Sequence, residues 1–242
     1  MKATKKIGII SDIHGNDVAF KETLDRLKDK VDSIICLGDM IGIGPNGNDV
    51  LNIARSLKNF QTVLGNHERY YLYGFNNPLS CTQQDHQDWI KSQISLENGE
   101  YIKQIPVNIE IEHNGKKILF THYAKREGKG LFFEYIVKDP DYDSLDYLFR
   151  NYDADIIFYG HEHIASIFEG NRKFINPGSL GCPHPKKNFS RYGILELGDE
   201  IKYEQFEFEY DSSKVAKDIF EKEMPNGEFI ASNFYKMTLK DL

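Results

Sequence analysis

The sequence predicts an α/β fold, and three observations lead to this prediction. In the first 64 residues, short apolar runs alternate with segments of helical spacing. Between residues 107 and 210, three pairs of strand-like runs are each joined by a short turn. Five apolar runs also end in residues that can bind a metal ion, and ligands of open α/β sheets gather beyond the carboxyl ends of the strands.

Three strands and two helices account for the first 64 residues. The predicted strands are 5–10, 32–37 and 60–64. One apolar helical face between them runs through Phe20, Leu24 and Leu27, and a second is centred on Ala54. The order is therefore β-α-β-α-β, which predicts parallel strands joined by right-handed crossovers.

The rest of the chain is predicted to continue as one domain of residues 1–242. A polar and aromatic stretch at 69–104 is expected to form a helical cap segment. An apolar strand is predicted at 155–159, after a helical stretch around Leu145. Residues 211–242 are predicted to form a C-terminal helical tail.

Three β-hairpins are predicted between residues 107 and 210. An Asn-Gly pair within 107–122 and a Gly-Asn pair within 165–176 each mark a tight turn between two strand-like runs. The third hairpin spans 192–210. Its alternation of apolar and polar residues changes phase between Tyr203 and Phe206, which predicts a β-bulge.

Composition and charge narrow the class of protein. Hydrophobic residues make up 40% of the 242 residues and charged residues 28%, which is ordinary for a globular domain. No apolar run approaches the ~20 residues of a membrane span, and no signal-peptide core is evident, so we expect a soluble cytoplasmic protein. Three widely spaced cysteines indicate neither a disulfide framework nor cysteine-ligated zinc. A net charge of −7 without a dense Lys/Arg run argues against long nucleic acid as a partner.

Metal-binding residue types follow five of the apolar runs. The motifs are SDIH (11–14), GD (38–39), GNHE (65–68), TH (121–122) and GHEH (160–163). A single motif of this kind is usually a turn acid or a surface histidine. Together they hold five of the eight histidines, and each has its own buried strand before it, which indicates one shared site.

The residue types at these strand ends suit two divalent ions. They comprise two carboxylates, one amide oxygen and four imidazoles, with no thiolate: Asp12, His14, Asp39, Asn66, His122, His161 and His163. Donors of this kind suit Mn, Fe, Zn or Ni better than a structural zinc site. A carboxylate can bridge two ions because it offers two oxygens.

The ordered segments SDIHGN, GDMIGIGPN, GNHE, THY and GHEH resemble the calcineurin-like metallophosphoesterase superfamily. NPGSLG at 176–181 further resembles its small bacterial and archaeal phosphodiesterase branch. The resemblance spans residues 7 to about 210. It implies a four-layer α/β/β/α sandwich, in which two mixed sheets are flanked by helices and a two-metal site lies between loops.

Carried over motif by motif, the resemblance implies a set of roles for these residues. One ion would be held by Asp12, His14, Asp39 and His163. The other would be held by Asp39, Asn66, His122 and His161, with Asp39 bridging. Two such ions activate a water for attack on phosphorus. His67 would act at the leaving-group or phosphoryl oxygen as an acid or an electrostatic stabiliser.

One departure bears on His67. In the phosphoprotein phosphatases of the superfamily, the bridging-aspartate motif continues with an aspartate that orients the catalytic histidine and a phosphate-binding arginine. This chain has Gly42 and Ile43 at those positions. Another group must therefore orient His67, and a phosphoprotein phosphatase is disfavoured. We expect a phosphodiesterase or phosphatase that acts on a small phosphate ester.

Two other functions stay open. One is a dinucleoside polyphosphate hydrolase, which the segment GDMIGIGPN resembles and the missing arginine disfavours. The other is a non-catalytic protein-binding scaffold, like the retromer subunit with this fold. That subunit lacks the catalytic histidine, whereas this chain keeps His67 and every ligand position.

Several charged or titratable residues lie close to these motifs or outside them. We expect them in solvated loops or at the surface, because each is better explained there than in a site. They are Arg69, His86, His113, Lys125, Arg126 and His184. The alternative for Arg69, Lys125 and Arg126 is a contact with substrate phosphate, and the alternative for His184 is a position facing the pocket.

Overall fold

Two five-stranded sheets packed face to face form the centre of the molecule. The computed structural model describes residues 4–75, 78–126, 133–181 and 189–242. Cys182 and His184 lie outside the described residues. The strands are β1 (Lys5–Ile10), β2 (Ser33–Cys36), β3 (Phe60–Thr62), β4 (Asn108–His113), β5 (Lys116–Thr121), β6 (Ile156–Phe158), β7 (Ser166–Glu169), β8 (Lys173–Asn176), β9 (Phe189–Leu197) and β10 (Ile201–Glu209).

Helices cover the outer faces of both sheets. Over the described ranges they are α1 (Asp17–Leu27), α2 (Gly47–Ser56), α3 (Asn66–Tyr73), α4 (Cys81–Gln93), α5 (Leu96–Gln104), α6 (Tyr142–Leu148), α7 (Ser212–Glu221) and α8 (Gly227–Phe234), with a 3-10 turn at Leu239–Asp241. No helix within these ranges is long and apolar enough to cross a lipid bilayer.

The first sheet has the strand order β10-β9-β1-β2-β3. Its strands β1, β2 and β3 are parallel, as the β-α-β-α-β pattern predicts. The second sheet has the order β4-β5-β6-β8-β7, in which β5, β6 and β8 are parallel. The three predicted hairpins are present as the antiparallel pairs β4–β5, β7–β8 and β9–β10. Both sheets are therefore mixed.

The predicted β-bulge in the last hairpin is wrong. β10 pairs with β9 without interruption from Ile201 opposite Leu197 to Glu209 opposite Phe189. The phase changes because the two halves of β10 bury opposite faces. Ile201 and Tyr203 pack between the sheets, whereas Phe206 and Phe208 pack on the helix side.

Three layers of apolar packing hold the sandwich together. The contact between the sheets, which we call the inter-sheet core, is formed by Ile7, Ile9, Ile35, Leu37, Ile118, Phe120, Phe158, Ile175, Leu195 and Leu197. Most of the helices pack on the outer face of the first sheet, and α6 packs on the second through Leu145. The arrangement is the predicted four-layer α/β/β/α sandwich, and it brings the carboxyl ends of β1, β2, β3, β5 and β6 to one edge.

Candidate metal centre

Five loops meet at this edge, one after each of the strands β1, β2, β3, β5 and β6. We call these loops together the loop edge; they are residues 11–16, 38–46, 65–68, 122–126 and 160–165. All seven residues predicted from the sequence to bind metal lie here, and so does His67. Most of these side chains are buried, although they come from positions up to about 150 residues apart.

Asp12, His14 and His163 form the first cluster. The Nε2 atoms of His14 and His163 lie 2.9 Å apart. The Oδ1 atom of Asp12 lies 3.3 Å from His163 Nε2 and 3.7 Å from His14 Nε2. One ligand atom from each residue therefore faces a common point, so the three residues could hold a metal ion.

The second cluster is formed by Asp39, Asn66, His122 and His161. His122 Nε2 lies 3.4 Å from Asp39 Oδ2 and 2.7 Å from Asn66 Oδ1. Ligand atoms of Asp39, His122 and His161 all lie within 4.8 Å of one another. Asp39 Oδ2 is also 3.8 Å from His14 Nε2, so this carboxylate lies between the two clusters.

The backbone of the loop edge is unusual. Six residues that are not glycine have left-handed φ angles: Asp12 (54°), His14 (49°), Asp39 (54°), Ile43 (59°), His161 (70°) and His163 (60°). Such a conformation costs about 1–3 kcal/mol per residue and persists only where the surroundings enforce it. Strain concentrated in this way is a common property of functional sites.

Glu68 holds two of the loops in register. Its Oε2 accepts hydrogen bonds from the backbone N–H groups of Asp39 (2.9 Å) and Gly65 (3.0 Å). Its Oε1 accepts from the N–H groups of Met40 (2.8 Å) and Ile41 (3.1 Å). The sequence reasoning missed this role, although an acid three residues after a helix N-cap is the capping-box spacing.

The NPGSLG segment lines the loop after β1. Ser179 Oγ donates to the carbonyl of Asp12 at 3.0 Å, and the N–H of Gly181 donates to the same oxygen at 2.9 Å. The N–H of Leu180 donates to the carbonyl of Ser11 at 2.8 Å. These bonds fix the backbone that presents Asp12 and so give the segment a structural role at the site.

His67 is oriented by packing. Its backbone N–H donates to Asp39 Oδ1 at 2.9 Å, and its ring makes edge contacts with His14 and Tyr70 at centroid distances of 4.9 and 5.6 Å. The ring also lies against Gly42, whose φ is +86°, and a Cβ added there would lie 2.0 Å from His67 Nδ1. Glycine at position 42 therefore leaves room for the imidazole, which answers the question of how the ring is oriented without an aspartate.

Burial controls the charges of the imidazoles. It lowers the pKa of His67 and of His161 to about 3 in each case, and it also lowers the pKa of His14 and His122. Burial, together with the nearby Glu68 and Asp12 carboxylates, raises the pKa of Asp39 well above its ordinary value. Neutral imidazoles are the form that binds a metal ion.

The residues present fit divalent metal ions. Among the described residues, Asp12 Oδ1 and His14 Nδ1 are buried and make no hydrogen bond. Buried polar atoms are normally paired, because leaving one unpaired costs about 1–3 kcal/mol. A cation would satisfy the Asp12 oxygen and would also separate the facing nitrogens of His14 and His163. The donors are nitrogen and oxygen only, as expected for Mn, Fe, Zn or Ni.

Two of the residues expected at the surface are buried, so those predictions are wrong. Arg69 is only 5% exposed, and its Nη1 donates to the carbonyl of Gly74 at 2.8 Å. His86 is 8% exposed, with Nδ1 lying 3.2 Å from the carbonyl oxygen of Pro225. Lys125 is exposed, as predicted, and Arg126 is partly exposed.

Comparisons with known proteins place the chain in a family. The family model of the calcineurin-like phosphoesterase superfamily domain matches residues 6–200. An uncharacterised protein from Methanocaldococcus jannaschii is 33% identical to this chain over 241 residues, covering 90% of this chain and 93% of that protein.

Two solved structures share the fold across nearly the whole chain. A hypothetical protein from Pyrococcus horikoshii superposes with a TM-score of 0.81 at 15% identity, covering 96% of this chain and 99% of its own. A metallophosphoesterase from Sphaerobacter thermophilus superposes with a TM-score of 0.72 at 21% identity, covering 95% and 97%. The match to the family model over most of the chain shows that this protein belongs to the calcineurin-like phosphoesterase superfamily.

Proposed function

We propose that the protein hydrolyses phosphate ester bonds of a small substrate at two divalent metal ions, as a phosphodiesterase or phosphatase. The observation that carries the proposal is the position of Asp39. Its Oδ2 atom lies 3.4 Å from His122 Nε2 in one cluster and 3.8 Å from His14 Nε2 in the other. A carboxylate between two sets of imidazoles is what a bridging ligand requires.

The two ligand sets follow from the two clusters. One ion would be held by Asp12, His14, Asp39 and His163, and the other by Asp39, Asn66, His122 and His161. Two bound ions would supply an activated water at neutral pH and neutralise charge on the phosphoryl oxygens. The protein's own contribution is to keep the imidazoles of His14, His122 and His161 neutral and to hold the backbone of Asp39 through Glu68.

His67 would stabilise the leaving group. Its Nε2 points to the same space as Asp39 Oδ2, at 4.0 Å from it, while Nδ1 packs against Gly42. Because burial lowers the pKa of His67 to about 3, the ring is neutral at pH 7. A neutral ring with its hydrogen on Nε2 would donate a hydrogen bond to an oxygen on which negative charge develops.

Leaving-group dependence tests the role of His67. His67→Ala should reduce kcat/KM most for esters with a poor leaving group, because more negative charge develops on that oxygen and needs stabilisation. The measurement is a series of aryl phosphate diesters that differ in the pKa of the released phenol. Equal loss on good and poor leaving groups would count against stabilisation of the leaving group by His67.

The main test combines metal analysis with a substrate panel. Protein loaded with Mn²⁺ should hold two ions per chain and hydrolyse members of a panel of bis-p-nitrophenyl phosphate, p-nitrophenyl phosphate, cyclic nucleotides and dinucleoside polyphosphates. Asp39→Asn should abolish hydrolysis of all of them. The matched control is Asp29→Asn, because Asp29 also has a left-handed φ, of 59°, but is exposed and outside the loop edge.

The same experiment separates an enzyme from a scaffold. A chain that binds no metal and stays inert with added Mn²⁺ would favour the non-catalytic, protein-binding alternative. Hydrolysis of dinucleoside polyphosphates and of no other substrate in the panel would favour the dinucleoside polyphosphate hydrolase over a general phosphodiesterase.

A further inference from the structure

We propose that the substrate is nucleotide-like, and that the cavity beside the metal centre binds an aromatic base together with a phosphate beyond the one that reacts. This inference rests on the proposed phosphoesterase function and names its substrate class. The cavity measures about 620 Å³, which is within the usual range for pockets that bury a small organic ligand.

The cavity opens directly from the candidate metal centre. Asn66 and His161, both in the second cluster, are among the residues that line it. A substrate with its phosphorus at the clusters would therefore extend one of its substituents into this cavity. The far walls are then positioned to select that substituent.

Aromatic rings line the walls of the cavity. Tyr70 and Phe75 stack with their ring centroids 3.9 Å apart, and Phe133 lies edge-on to His122 at 5.3 Å. Tyr135 also lines the cavity but leaves 74% of its surface exposed. An exposed tyrosine at the rim of a pocket offers a face on which a planar base can stack.

Two arginines line the same cavity. Arg69 is 5% exposed, and its Nη1 donates to the carbonyl of Gly74 at 2.8 Å. The guanidinium of Arg126 lies 4.2 Å from the centroid of the Tyr135 ring, and its Nε is 3.5 Å from Glu134 Oε2. Arginine stays charged at any physiological pH and binds phosphate through two parallel hydrogen bonds. Arg69 and Arg126 are thus suited to hold a second phosphate.

The combination of these walls favours a nucleotide over other small esters. A simple aryl phosphate would use the aromatic rings but has no second anion for the arginines. A sugar phosphate would use the arginines but offers no aromatic face to Tyr135. A long polynucleotide is disfavoured by the net charge of −7.

Two chromogenic esters with the same reacting bond test the base-binding part. Thymidine 5′-(p-nitrophenyl phosphate) and methyl p-nitrophenyl phosphate both release p-nitrophenolate, and they differ in the nucleoside. We expect kcat/KM of the wild-type protein to be at least about tenfold higher for the nucleoside ester, because base stacking on an aromatic side chain typically gives this gain or more.

Variants of Tyr135 locate this preference. Tyr135→Ala should reduce the ratio of the two kcat/KM values by about tenfold, the effect expected for one lost stacking contact. The matched control is Tyr147→Ala, because Tyr147 is 69% exposed and has the Arg150 guanidinium 4.3 Å from its ring, but does not line this cavity. The control should leave both kcat/KM values unchanged.

Calorimetric binding of ADP and AMP tests the second phosphate without turnover. ADP should bind about tenfold more tightly than AMP, and Arg126→Gln should remove that difference, since one charge-assisted contact accounts for a factor of this size. Arg150→Gln is the control and should preserve it. These measurements do not depend on hydrolysis of either ester.

The outcomes separate this inference from the proposed function. Hydrolysis of both esters with equal kcat/KM would overturn the nucleotide assignment and leave the phosphoesterase function intact. Binding of ADP by a protein that hydrolyses neither ester would support the cavity assignment and count against the enzyme. A protein that binds neither nucleotide at millimolar concentration overturns the inference, whatever it hydrolyses.

Discussion

The inter-sheet core and the loop edge are both buried, but they are built in opposite ways. The core consists of aliphatic and aromatic side chains on regular strands, and each of its ten residues is at most 5% exposed. The loop edge buries carboxylates, an amide and imidazoles on a backbone with six left-handed residues that are not glycine. Removal of apolar surface from water at the core stabilises the folded state, whereas burial of polar groups at the loop edge destabilises it.

The difference indicates which region determines stability and which determines chemistry. Glu68 and the NPGSLG segment supply backbone hydrogen bonds that hold the loop edge in shape. They do not satisfy Asp12 Oδ1 or His14 Nδ1, the unpaired atoms of the first cluster. A site of this kind is arranged for a ligand at some cost to the free protein. Substitutions in the two regions should therefore affect different measurements.

The largest effect is expected for Asp39→Asn. Loss of an outer-shell partner lowers metal affinity by about 10–100-fold, and loss of a bridging carboxylate should lower it by more than that. The metal-free variant should unfold no more easily than the metal-free wild type, because a buried carboxylate whose pKa is raised is costly to ionise at pH 7. The two measurements are metal titration and urea unfolding after chelation. A clear loss of metal-free stability would show that Asp39 also supports the fold.

Ile9→Ala should lower stability and leave metal binding unchanged, which is the opposite of the result expected for Asp39→Asn. Ile9 is fully buried in the inter-sheet core, so its truncation should lower the free energy of unfolding by about 2–5 kcal/mol. The folded variant should bind metal with unchanged stoichiometry, because Ile9 lies in regular strand before the loop edge. Leu96→Ala is the control, since Leu96 is 92% exposed and its loss should change stability by less than about 0.5 kcal/mol. Loss of metal binding in folded Ile9→Ala would mean that the two regions are coupled.

The pH dependence of the metal-free protein should come from the loop edge. Burial lowers the pKa of His67 and His161 from the ordinary value of 6.5 to about 3, so only the unfolded chain takes up these protons between the two values. Proton uptake by the unfolded chain lowers the free energy of unfolding as the pH falls from 6.5 towards 3. The loss is up to about 1.4 kcal/mol per pH unit for each imidazole, and above pH 6.5 there is none.

Urea unfolding at several pH values between 7 and 4 measures this slope. Asp39 works in the opposite direction, because a raised pKa makes the folded state take up its proton first. The comparison is therefore made between the wild type and the His67→Gln/His161→Gln double variant. The double variant should show a shallower slope, and an identical slope would refute the assignment to these two imidazoles.

The two regions also differ in how far the sequence predicts them. Each strand of the loop edge ends in a motif of its own, so local patterns were enough to name all seven residues that the structure brings together. The alternation in β10 predicts a bulge that is absent, because the two halves of this strand bury side chains on opposite faces. One face packs between the sheets and the other on the helices, which no local pattern reveals. The prediction for His86 is wrong for a related reason, since its ring packs against Pro225, a residue distant in the sequence.

The orientation of His67 shows the same limit. The sequence reveals that the usual aspartate is absent, but it does not reveal that Gly42 takes its place by leaving space. That contact joins residues 25 positions apart through backbone geometry alone. The contact between Gly42 and His67 leads to the smallest and most specific of the expected effects, a loss of activity in a glycine variant.

Gly42→Ala should reduce activity by moving His67. The new methyl group would overlap His67 Nδ1, because a Cβ there lies only 2.0 Å from that atom, so the ring must shift. A displacement of about 1 Å can cost up to about 100-fold in rate, and a tenfold fall in kcat/KM on esters with poor leaving groups is a modest expectation. Metal stoichiometry should not change, since every proposed ligand is intact.

Gly115→Ala separates this steric effect from backbone strain. Gly115 has a φ of +75°, close to the +86° of Gly42, but nothing lies within 4 Å of the Cβ position in its hairpin turn. Both variants should therefore lose similar stability from placing alanine in the left-handed region, about 1 kcal/mol each. Only Gly42→Ala should lose activity, and its loss should grow with the pKa of the leaving group, as for His67→Ala. If the two glycine variants were equally active, the ring of His67 would not depend on the space at position 42, and packing could not be what orients it.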